Sequence, residues 1–368
     1  MNKNLLRFPD RRCANTTLCC TLGIILSWAF MGSAGCQAPV DAPGNDGGSG
    51  GDGSGGNGSG GGGNDGGGAS GGDPVAIGQL AAITNGPAGN LIGVDITNDT
   101  VVNIDRTTGA ATLISGNGAG SGPEIDAPNR VFRDTDGSLL VTTLARLIYR
   151  VDPDSGNRTL LLDASDENDP FPDSFTGIAT AANGDIIVIN VNAAPFIALV
   201  DEAAGALTDV AAANVTNGAE EIKPGNGNAV IIIDSFRRAV VQVDVTTGEE
   251  TILSNVDTAA GPVDTEVGMG SDFGQPRVLA VTDTGTIYVA DEGNSSFGLG
   301  TPAIFEISST TGNRTVIAAP DTGEGPAVGR PQSMVIDDEG LLVLIDATHT
   351  GLLIVDPKTA VRALLAIN

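Results

Sequence analysis

The chain has 368 residues, with 45 acidic against 18 basic side chains and a formal net charge of −27. A surface this acidic repels nucleic acid and anionic lipid and attracts cations and basic partners. No nucleic-acid partner is therefore expected. All cysteines lie near the N-terminus, at Cys13, Cys19, Cys20 and Cys36. Everything downstream of Cys36 thus lacks a thiol, a disulfide and a Cys-based metal site.

Residues 1–35 have the pattern of a secretory signal peptide. Lys3, Arg7, Arg11 and Arg12 precede the apolar run LCCTLGIILSWAFMG, and a positive segment followed by a hydrophobic one is typical of such signals. The run is shorter than the ~20 residues that cross a bilayer as a helix. We therefore expect an exported chain rather than one with a retained transmembrane anchor.

Ser33, Ala34 and Gly35 lead into Cys36, and this stretch resembles the lipobox of bacterial lipoproteins. The resemblance implies that Cys36 becomes the acylated first residue of the mature chain. Gln37 stands where an aspartate would favour the inner membrane. The implied location is therefore the outer membrane, reached through a lipid anchor, with the protein facing the periplasm or the cell surface.

Residues 36–73 are predicted to form a flexible tether. More than half of the residues between Asp41 and Asp73 are glycine, and most of the others are Ser, Asn and Asp. Such a segment cannot bury apolar surface, and its mean reach is about 30 Å. We expect it to separate the folded domain from the membrane.

Residues 74–368 contain two motifs that alternate six times. The first is an apolar strand, an Asp, a short turn, usually a Gly, and another strand. Its copies are VNIDRTTGAATLIS, YRVDPDSGNRTLLL, ALVDEAAGALTDVA, VQVDVTTGEETILS, FEISSTTGNRTVIA and LIVDPKTAVRALLA. The second is a Gly followed six residues later by a polar residue that closes a strand. Its pairs are Gly89 and Asp95, Gly137 and Thr143, Gly184 and Asn190, Asn228 and Asp234, Gly285 and Asp291, Gly340 and Asp346.

Each repeat is predicted to hold four short strands, because its segments are rich in Val, Ile, Leu and Thr and are bounded by turn residues. Four-stranded units of ~40 to 50 residues indicate an all-β fold, a six-bladed β-propeller of four-stranded antiparallel blades. Within the repeats, a segment of the type GTIYVAD (285–291) is followed by one of the type VDPDSG (151–156). This pattern resembles the NHL, YWTD and SMP-30/gluconolactonase-like propellers. That group includes hydrolases, receptor modules and binding scaffolds, so the resemblance leaves the function open.

The turn Asp152-Pro153-Asp154-Ser155-Gly156 is predicted to be a hairpin rather than a reactive site. Its Asp can accept hydrogen bonds from amides downstream, and its Gly supplies the positive φ that returns the chain. The strand-closing carboxylates of the second motif have two interpretations. They could form a ring that binds a divalent cation, or each could cap loop amides, as the equivalent Asp does in the YWTD family. Capping is favoured.

The candidate ligand-binding residues are those that precede the Gly of the second motif by eight or seven positions. In a propeller these should lie on the loops that lead into the innermost strand, around the mouth of the channel. They are Asn129, Arg130, Thr176, Glu220, Glu221, Arg277 and Gln332. Blade 5 differs most from the others, with a long segment at 256–276 and the insertion EGNSSFGLGT at 292–301, both candidates for contact with a partner.

Two functions are compatible with these residues. The first is a monomeric binding or interaction module at the cell envelope, whose ligand is a protein or a small molecule. The second, implied by the SMP-30 resemblance, is a Ca²⁺-dependent lactonase or hydrolase at the channel mouth. No catalytic residue and no metal ligand can be assigned for it. A Ser-His-Asp triad would need His349, which is predicted to be a turn residue.

Overall fold

A computed structural model describes residues 72, 74–116, 118–165, 174–190, 197–210, 218–256, 266–294 and 300–367. All of them belong to one compact unit, residues 63–368. The predictions for the signal peptide at residues 1–35 and for lipidation at Cys36 lie outside these ranges, as does nearly all of the tether. Within these ranges, no helix is long and apolar enough to cross a membrane.

The first three blades are antiparallel sheets whose four strands follow one another in the chain. Blade 1 contains β1 (Leu80–Asn85), β2 (Leu91–Asp95), β3 (Thr100–Ile104) and β4 (Ala111–Ser115). Blade 2 contains β5 (Pro128–Arg133), β6 (Leu139–Thr143), β7 (Leu147–Val151) and β8 (Arg158–Asp163). Blade 3 contains β9 (Gly177–Thr180), β10 (Ile186–Ile189), β11 (Ile197–Asp201) and β12 (Ala206–Asp209).

The last three blades repeat this order. Blade 4 contains β13 (Ala219–Pro224), β14 (Ala229–Asp234), β15 (Ala239–Asp244) and β16 (Glu250–Asn255). Blade 5 contains β17 (Pro276–Val281), β18 (Ile287–Asp291), β19 (Ala303–Ile307) and β20 (Arg314–Ala318). Blade 6 contains β21 (Pro331–Ile336), β22 (Leu342–Asp346), β23 (Leu352–Val355) and β24 (Arg362–Leu365). The predicted six-bladed propeller is confirmed.

The core lies between the blades rather than within them. Each of six hydrophobic clusters combines buried residues from two neighbouring blades. One cluster joins Leu80 and Val102 of blade 1 to Val335 and Val343 of blade 6, and β1 contacts β21. Because consecutive strands complete every blade, this apolar contact closes the ring without an exchanged strand.

The Asp-to-Gly turn between the third and fourth strands is a hairpin, as predicted. In blade 2, the Asp152 carboxylate accepts the amide N–H groups of Asp154 (2.9 Å) and Ser155 (3.1 Å). These amides lower the pKa of Asp152 below its ordinary value. Gly156 has φ +70°, and blade 6 places Ala360 at the equivalent position with φ +60°.

The turn between the first and second strands of blade 4 differs from that of the other blades. In the sequence repeat, Asn228 stands where the other blades have a Gly with positive φ. The left-handed residue of that turn is Gly227 instead, with φ +61°. The Asn228 side chain donates a hydrogen bond to Thr246 Oγ1, so it bonds to a neighbouring turn rather than providing the backbone bend.

Arg158, the first residue of β8, ties blade 2 to the segment that leads into that blade. Its backbone N–H donates to Ser121 O (2.7 Å). Its guanidinium donates to Pro123 O (2.7 Å), Ala119 O (2.8 Å) and Ser115 Oγ (2.8 Å). Arg158, which follows the hairpin turn directly, therefore fixes the path of the chain between two blades.

The same arginine anchor occurs in blades 5 and 6. Arg314 donates from its backbone to Met269 O (2.7 Å) and from its guanidinium to Ser271 O (3.0 Å) and Asn255 O (2.6 Å). Arg362 contacts Glu324, Pro326 and Thr322 in the same way. A planar guanidinium with five donors suits this role, because it can satisfy several carbonyl groups at once.

A pair of glycines lets each of these segments lie against the arginine strand. Gly122 has φ +112°, and a Cβ there would lie 2.2 Å from Arg158 O. Equivalent pairs occur at Gly268 and Gly270 and at Gly323 and Gly325. Two of the three segments, GSGPEIDAP at 120–128 and GEGPAVGRP at 323–331, share the spacing G-x-G-P-x4-P. The third, GMGSDFGQP at 268–276, has Ser271 in place of the first proline.

Replacing Arg314 should destabilise the protein. Arg314→Met leaves buried carbonyls between blades 4 and 5 without a donor, and we expect a loss of about 2 to 4 kcal/mol in the free energy of unfolding. Urea unfolding measures the change. The matched control is Arg133→Met, because Arg133 is exposed, and its effect should stay within ~0.5 kcal/mol. Equal stability of the two variants would contradict the anchor role.

Candidate functional site

The carboxylates that close the second strands bind loop amides. Asp95 accepts the N–H groups of Gly78 (2.6 Å) and Gln79 (3.0 Å), which precede β1. It also accepts those of Thr97 (3.0 Å) and Asn98 (3.2 Å), which follow β2. Asp291 and Asp346 repeat the arrangement, and Asp234 accepts the Arg237 amide. The capping interpretation is confirmed.

These carboxylates leave little capacity for a cation. All four are at most 1% exposed, and their oxygens are directed at backbone donors. In the part of the chain that the structure describes, no group of three or more His, Cys, Asp or Glu side chains is placed to hold a metal ion. The Ca²⁺-dependent hydrolase therefore gains no ligand set from the described residues.

A β-bulge marks the beginning of the innermost strand in five blades. The pairing with the second strand shifts by one residue between Leu80 and Ala82, Pro128 and Arg130, Ala219 and Glu221, Pro276 and Val278, and Pro331 and Ser333. The extra residues are Ala81, Asn129, Glu220, Arg277 and Gln332, and Thr176 takes the equivalent place just before β9. A bulge redirects its side chain relative to the strand.

The sequence predicts the site residues in the loops before the first strand of each blade. Most of them lie instead within that first strand. Only Thr176 precedes its strand. They lie at the end of each blade that also carries the capping carboxylate and the loop from the second to the third strand, which we call the mouth end. The sequence interval of eight residues located the bulge residue in five blades and the equivalent Thr176 in blade 3.

Asn129, Arg130 and Thr176 link blades 2, 3 and 4. Asn129 is buried, and its side chain donates to Phe175 O (2.9 Å) and accepts from Thr142 Oγ1 (2.6 Å). Arg130 Nε donates to Thr176 O (2.5 Å). The Thr176 hydroxyl donates to Ala219 O (2.7 Å). These polar groups are used in contacts between blades.

Glu220 and Arg277 form an ion pair between blades 4 and 5. Arg277 Nη1 lies 2.8 Å from Glu220 Oε1, and Arg277 Nε lies 3.1 Å from Glu292 Oε2. Burial acts to lower the pKa of Arg277, but the two carboxylates outweigh it and raise that pKa above its ordinary value. Ser235 Oγ also donates to Glu220 (3.0 Å). The guanidinium thus stays charged and holds the start of the blade 5 insertion.

Glu221 and Gln332 complete the predicted set. Glu221 is buried and pairs with Lys223 Nζ at 2.8 Å. Gln332 is partly buried, and its side chain makes no hydrogen bond to any described residue. Gln332 thus differs from the other polar bulge residues, whose side chains all bond to a neighbouring blade.

The sequence search missed Arg330, which lies two residues before Gln332 at the mouth end. It is exposed, and its position ten residues before Gly340 fell outside the interval that was searched. The other predicted contact segments are only partly described, since 257–265 and 295–299 lie outside the described ranges. His349 lies in the β22–β23 loop, where Nε2 is 2.6 Å from Ala327 O.

Comparison with known proteins supports the fold. No protein-family model and no curated protein matches the chain. Virginiamycin B lyase from Staphylococcus aureus is 15% identical with a TM-score of 0.53, covering 78% of this chain and 84% of the lyase. An auxiliary nutrient binding protein from Bacteroides thetaiotaomicron is 16% identical with a TM-score of 0.51, covering 73% and 67%.

A third similar structure comes from a nidogen/laminin complex. It is 13% identical with a TM-score of 0.52, covering 78% of this chain and 98% of the other. At identities this low, shared architecture carries no information about the ligand or the reaction. These likenesses show the propeller fold alone.

Asp291 should make stability depend on pH. Burial raises its pKa from 3.8 to about 6, against the lowering effect of three amide donors. Between pH 3.8 and about pH 6, the Asp291 carboxyl therefore holds a proton in the folded protein that it has already lost in the unfolded chain. The stabilisation that this bound proton provides is complete below about pH 4 and is lost as the pH rises through 6. We expect this carboxyl to cost about 1 kcal/mol of stability between pH 5 and pH 7.

The measurement compares urea unfolding of the wild type and Asp291→Asn at both pH values. The variant should lack this part of the pH dependence, whatever its absolute stability. Asp152→Asn is the matched contrast, because the pKa of Asp152 is lowered and its contribution is lost as the pH falls. Identical pH profiles for the wild type and Asp291→Asn would show that burial does not raise the pKa of Asp291.

Proposed function

We propose that this chain is a binding module of the cell envelope, exported, lipid-anchored at Cys36 and held at the outer membrane as a monomer. Its ligand, a protein or a small molecule, binds at the mouth end. One observation carries the proposal. A bulge that recurs in five blades displays a different side chain in each, namely Ala81, Asn129, Glu220, Arg277 and Gln332, and Thr176 takes the equivalent place in blade 3.

The contrast between repeated and varied residues supports a binding role. The Asp caps and the arginine anchors recur in several blades and bond to backbone atoms, so they maintain the scaffold. The bulge residues vary from blade to blade on nearly the same backbone. Ligand sites combine a rigid scaffold with a few convergent polar groups, and the mouth end has both.

The similar structures agree with this proposal. One is described as a nutrient binding protein and another comes from a nidogen/laminin complex. Propellers of this architecture therefore occur both in ligand binding and in protein assembly. For this chain, the strong negative charge favours cationic or basic partners at long range.

Lipid anchoring can be tested on the full chain expressed in a Gram-negative host. We expect radiolabelled palmitate to be incorporated into the wild type and to be absent from Cys36→Ala, which should appear in the soluble envelope fraction. Cys20→Ala is the matched control and should be labelled like the wild type. Equal labelling of the wild type and Cys36→Ala would contradict acylation at that residue.

Binding at the mouth end can be tested by photo-crosslinking. Phe236 follows β14 at this end and is 63% exposed, so p-benzoylphenylalanine can replace it with little strain. Lys358 is exposed in the β23–β24 hairpin at the opposite end of its blade, which we call the hairpin end. It serves as the matched position. We expect a discrete crosslinked species in the envelope from the Phe236 position only.

Identification of that species by mass spectrometry should give the same molecule in independent preparations. Crosslinking from the Lys358 position alone would place the binding surface at the hairpin end and overturn the proposal. A species captured equally from both positions would indicate contact without a specific surface, which also contradicts it.

A further inference from the structure

Nearly every arginine in the described part of the chain already has a partner. Guanidinium groups bond to carboxylates or backbone carbonyls at Arg106, Arg130, Arg150, Arg158, Arg277, Arg314 and Arg362. Arg146, Arg237 and Arg238 also have partners. Among the described arginines, Arg133 and Arg330 alone have side chains without a hydrogen bond or ion pair. Both are exposed.

These two arginines lie at opposite ends of their blades. Arg133 is the last residue of β5 and lies at the hairpin end. Arg330 directly precedes β21 at the mouth end. In a chain with a net charge of −27, a guanidinium with neither a carboxylate nor a carbonyl partner is a local exception among the described arginines. Arg330 therefore places an unneutralised positive charge beside the bulge residues.

The backbone of Arg330 is fixed on both sides. Its N–H donates to Asp346 Oδ1 (2.9 Å), and its carbonyl accepts from Ala347 N (2.9 Å). The carboxylate of Asp346 also accepts from Gly329 N (2.7 Å) and from the Thr348 amide and hydroxyl. The root of the Arg330 side chain is thus held in place, and the Asp346 carboxylate is already occupied by other donors.

Gln332 provides a second group without a partner, two residues further along. It occupies the bulge of blade 6, and its carboxamide is free of hydrogen bonds to the described residues. The neighbouring Ser333 bonds to Ile83 N of blade 1 (3.1 Å), so the strand is fixed just beyond the bulge. Among the described residues, therefore, blade 6 alone has a free guanidinium and a free carboxamide only two residues apart in the chain, both at the mouth end.

We propose that Arg330 and Gln332 bind a single carboxylate group of a small molecule at the mouth end of blade 6. A guanidinium matches both oxygens of a carboxylate with two parallel N–H donors. The Gln332 amide can donate one further hydrogen bond. This inference rests on the proposed function, because it specifies the ligand chemistry of the same mouth end.

The acidic surface repels anions at long range, and the Arg330 guanidinium attracts a carboxylate only at short range, so the net charge limits how much negative charge the ligand can carry. Repulsion from the acidic surface grows with each negative charge that a ligand carries. A ligand with one carboxylate experiences less of this repulsion than a phosphate dianion or a polyanion. His349 also lies in blade 6, in the β22–β23 loop at the mouth end. Its Nε2 donates to Ala327 O, so it is not part of the site.

The test uses the full chain, purified in detergent, and three probes of similar size: benzoate, benzyl alcohol and phenyl phosphate. Saturation-transfer NMR titrations report binding of the aromatic protons. We expect benzoate to bind with millimolar affinity, and benzyl alcohol and phenyl phosphate to bind more weakly. Arg330→Gln should weaken benzoate binding about tenfold, and Gln332→Ala should weaken it about threefold.

Arg133→Gln is the matched control, because it removes the other exposed arginine at the opposite end, and it should leave benzoate binding unchanged. Thermal unfolding of all three variants should match the wild type, since none of these side chains has a described partner. Absence of benzoate binding, equal loss in Arg133→Gln, or equal binding of benzyl alcohol would overturn the site. Tighter binding of phenyl phosphate would overturn the assignment to a carboxylate.

The two proposals can fail independently. If benzoate does not bind but crosslinking from the Phe236 position still captures one species, the mouth end is a binding surface and only the carboxylate site is wrong. If benzoate binds through Arg330 but crosslinks arise only from the Lys358 position, the small-molecule site stands and the proposed partner surface is wrong.

Discussion

Each blade can bury its apolar faces only against its two neighbours. A four-stranded antiparallel sheet has two faces, and here both are lined with Val, Ile, Leu and Ala that pack in clusters shared between adjacent blades. No blade has a core of its own, so burial becomes complete only when blade 6 meets blade 1. Closure of the ring is the condition on which the remaining structure depends.

Apolar packing is non-directional, and it does not by itself determine how the chain passes from one blade to the next. Polar anchors supply that information. Buried carboxylates such as Asp95 hold the loop before the first strand, and arginines such as Arg314 hold the segment between blades. A buried charge is tolerated in these places because backbone groups satisfy its hydrogen-bonding capacity.

The use of polar side chains in contacts between blades also distinguishes the scaffold from the candidate site. In blades 2 to 5, the side chains at the bulge position bond to a neighbouring blade, as Thr176 does to Ala219 O and Arg277 does to Glu220. Blade 6 departs from this pattern at Gln332 and Arg330. The departure matters because hydrogen-bonding groups that the fold does not use remain available to a ligand.

The sequence by itself determined the number of blades, the strand positions and the hairpin turns. These follow from short-range rules: segments rich in Val, Ile, Leu and Thr and bounded by turn residues predict strands, and Asp152 and Gly156 satisfy the requirements of one turn locally. The bulge positions were also accessible, because a constant interval of eight residues separates Gln332 from Gly340 and Asn129 from Gly137. The role of Arg158 beyond its hairpin could not be read in this way.

Only the tertiary structure decided which polar groups are used and which are free. Glu220 and Arg277 are 57 residues apart in the chain, and their ion pair exists because ring closure brings blades 4 and 5 together. Arg330 looks like many other arginines in the sequence. Its lack of a partner depends on where every neighbouring carboxylate and carbonyl points, and long-range packing alone sets those directions.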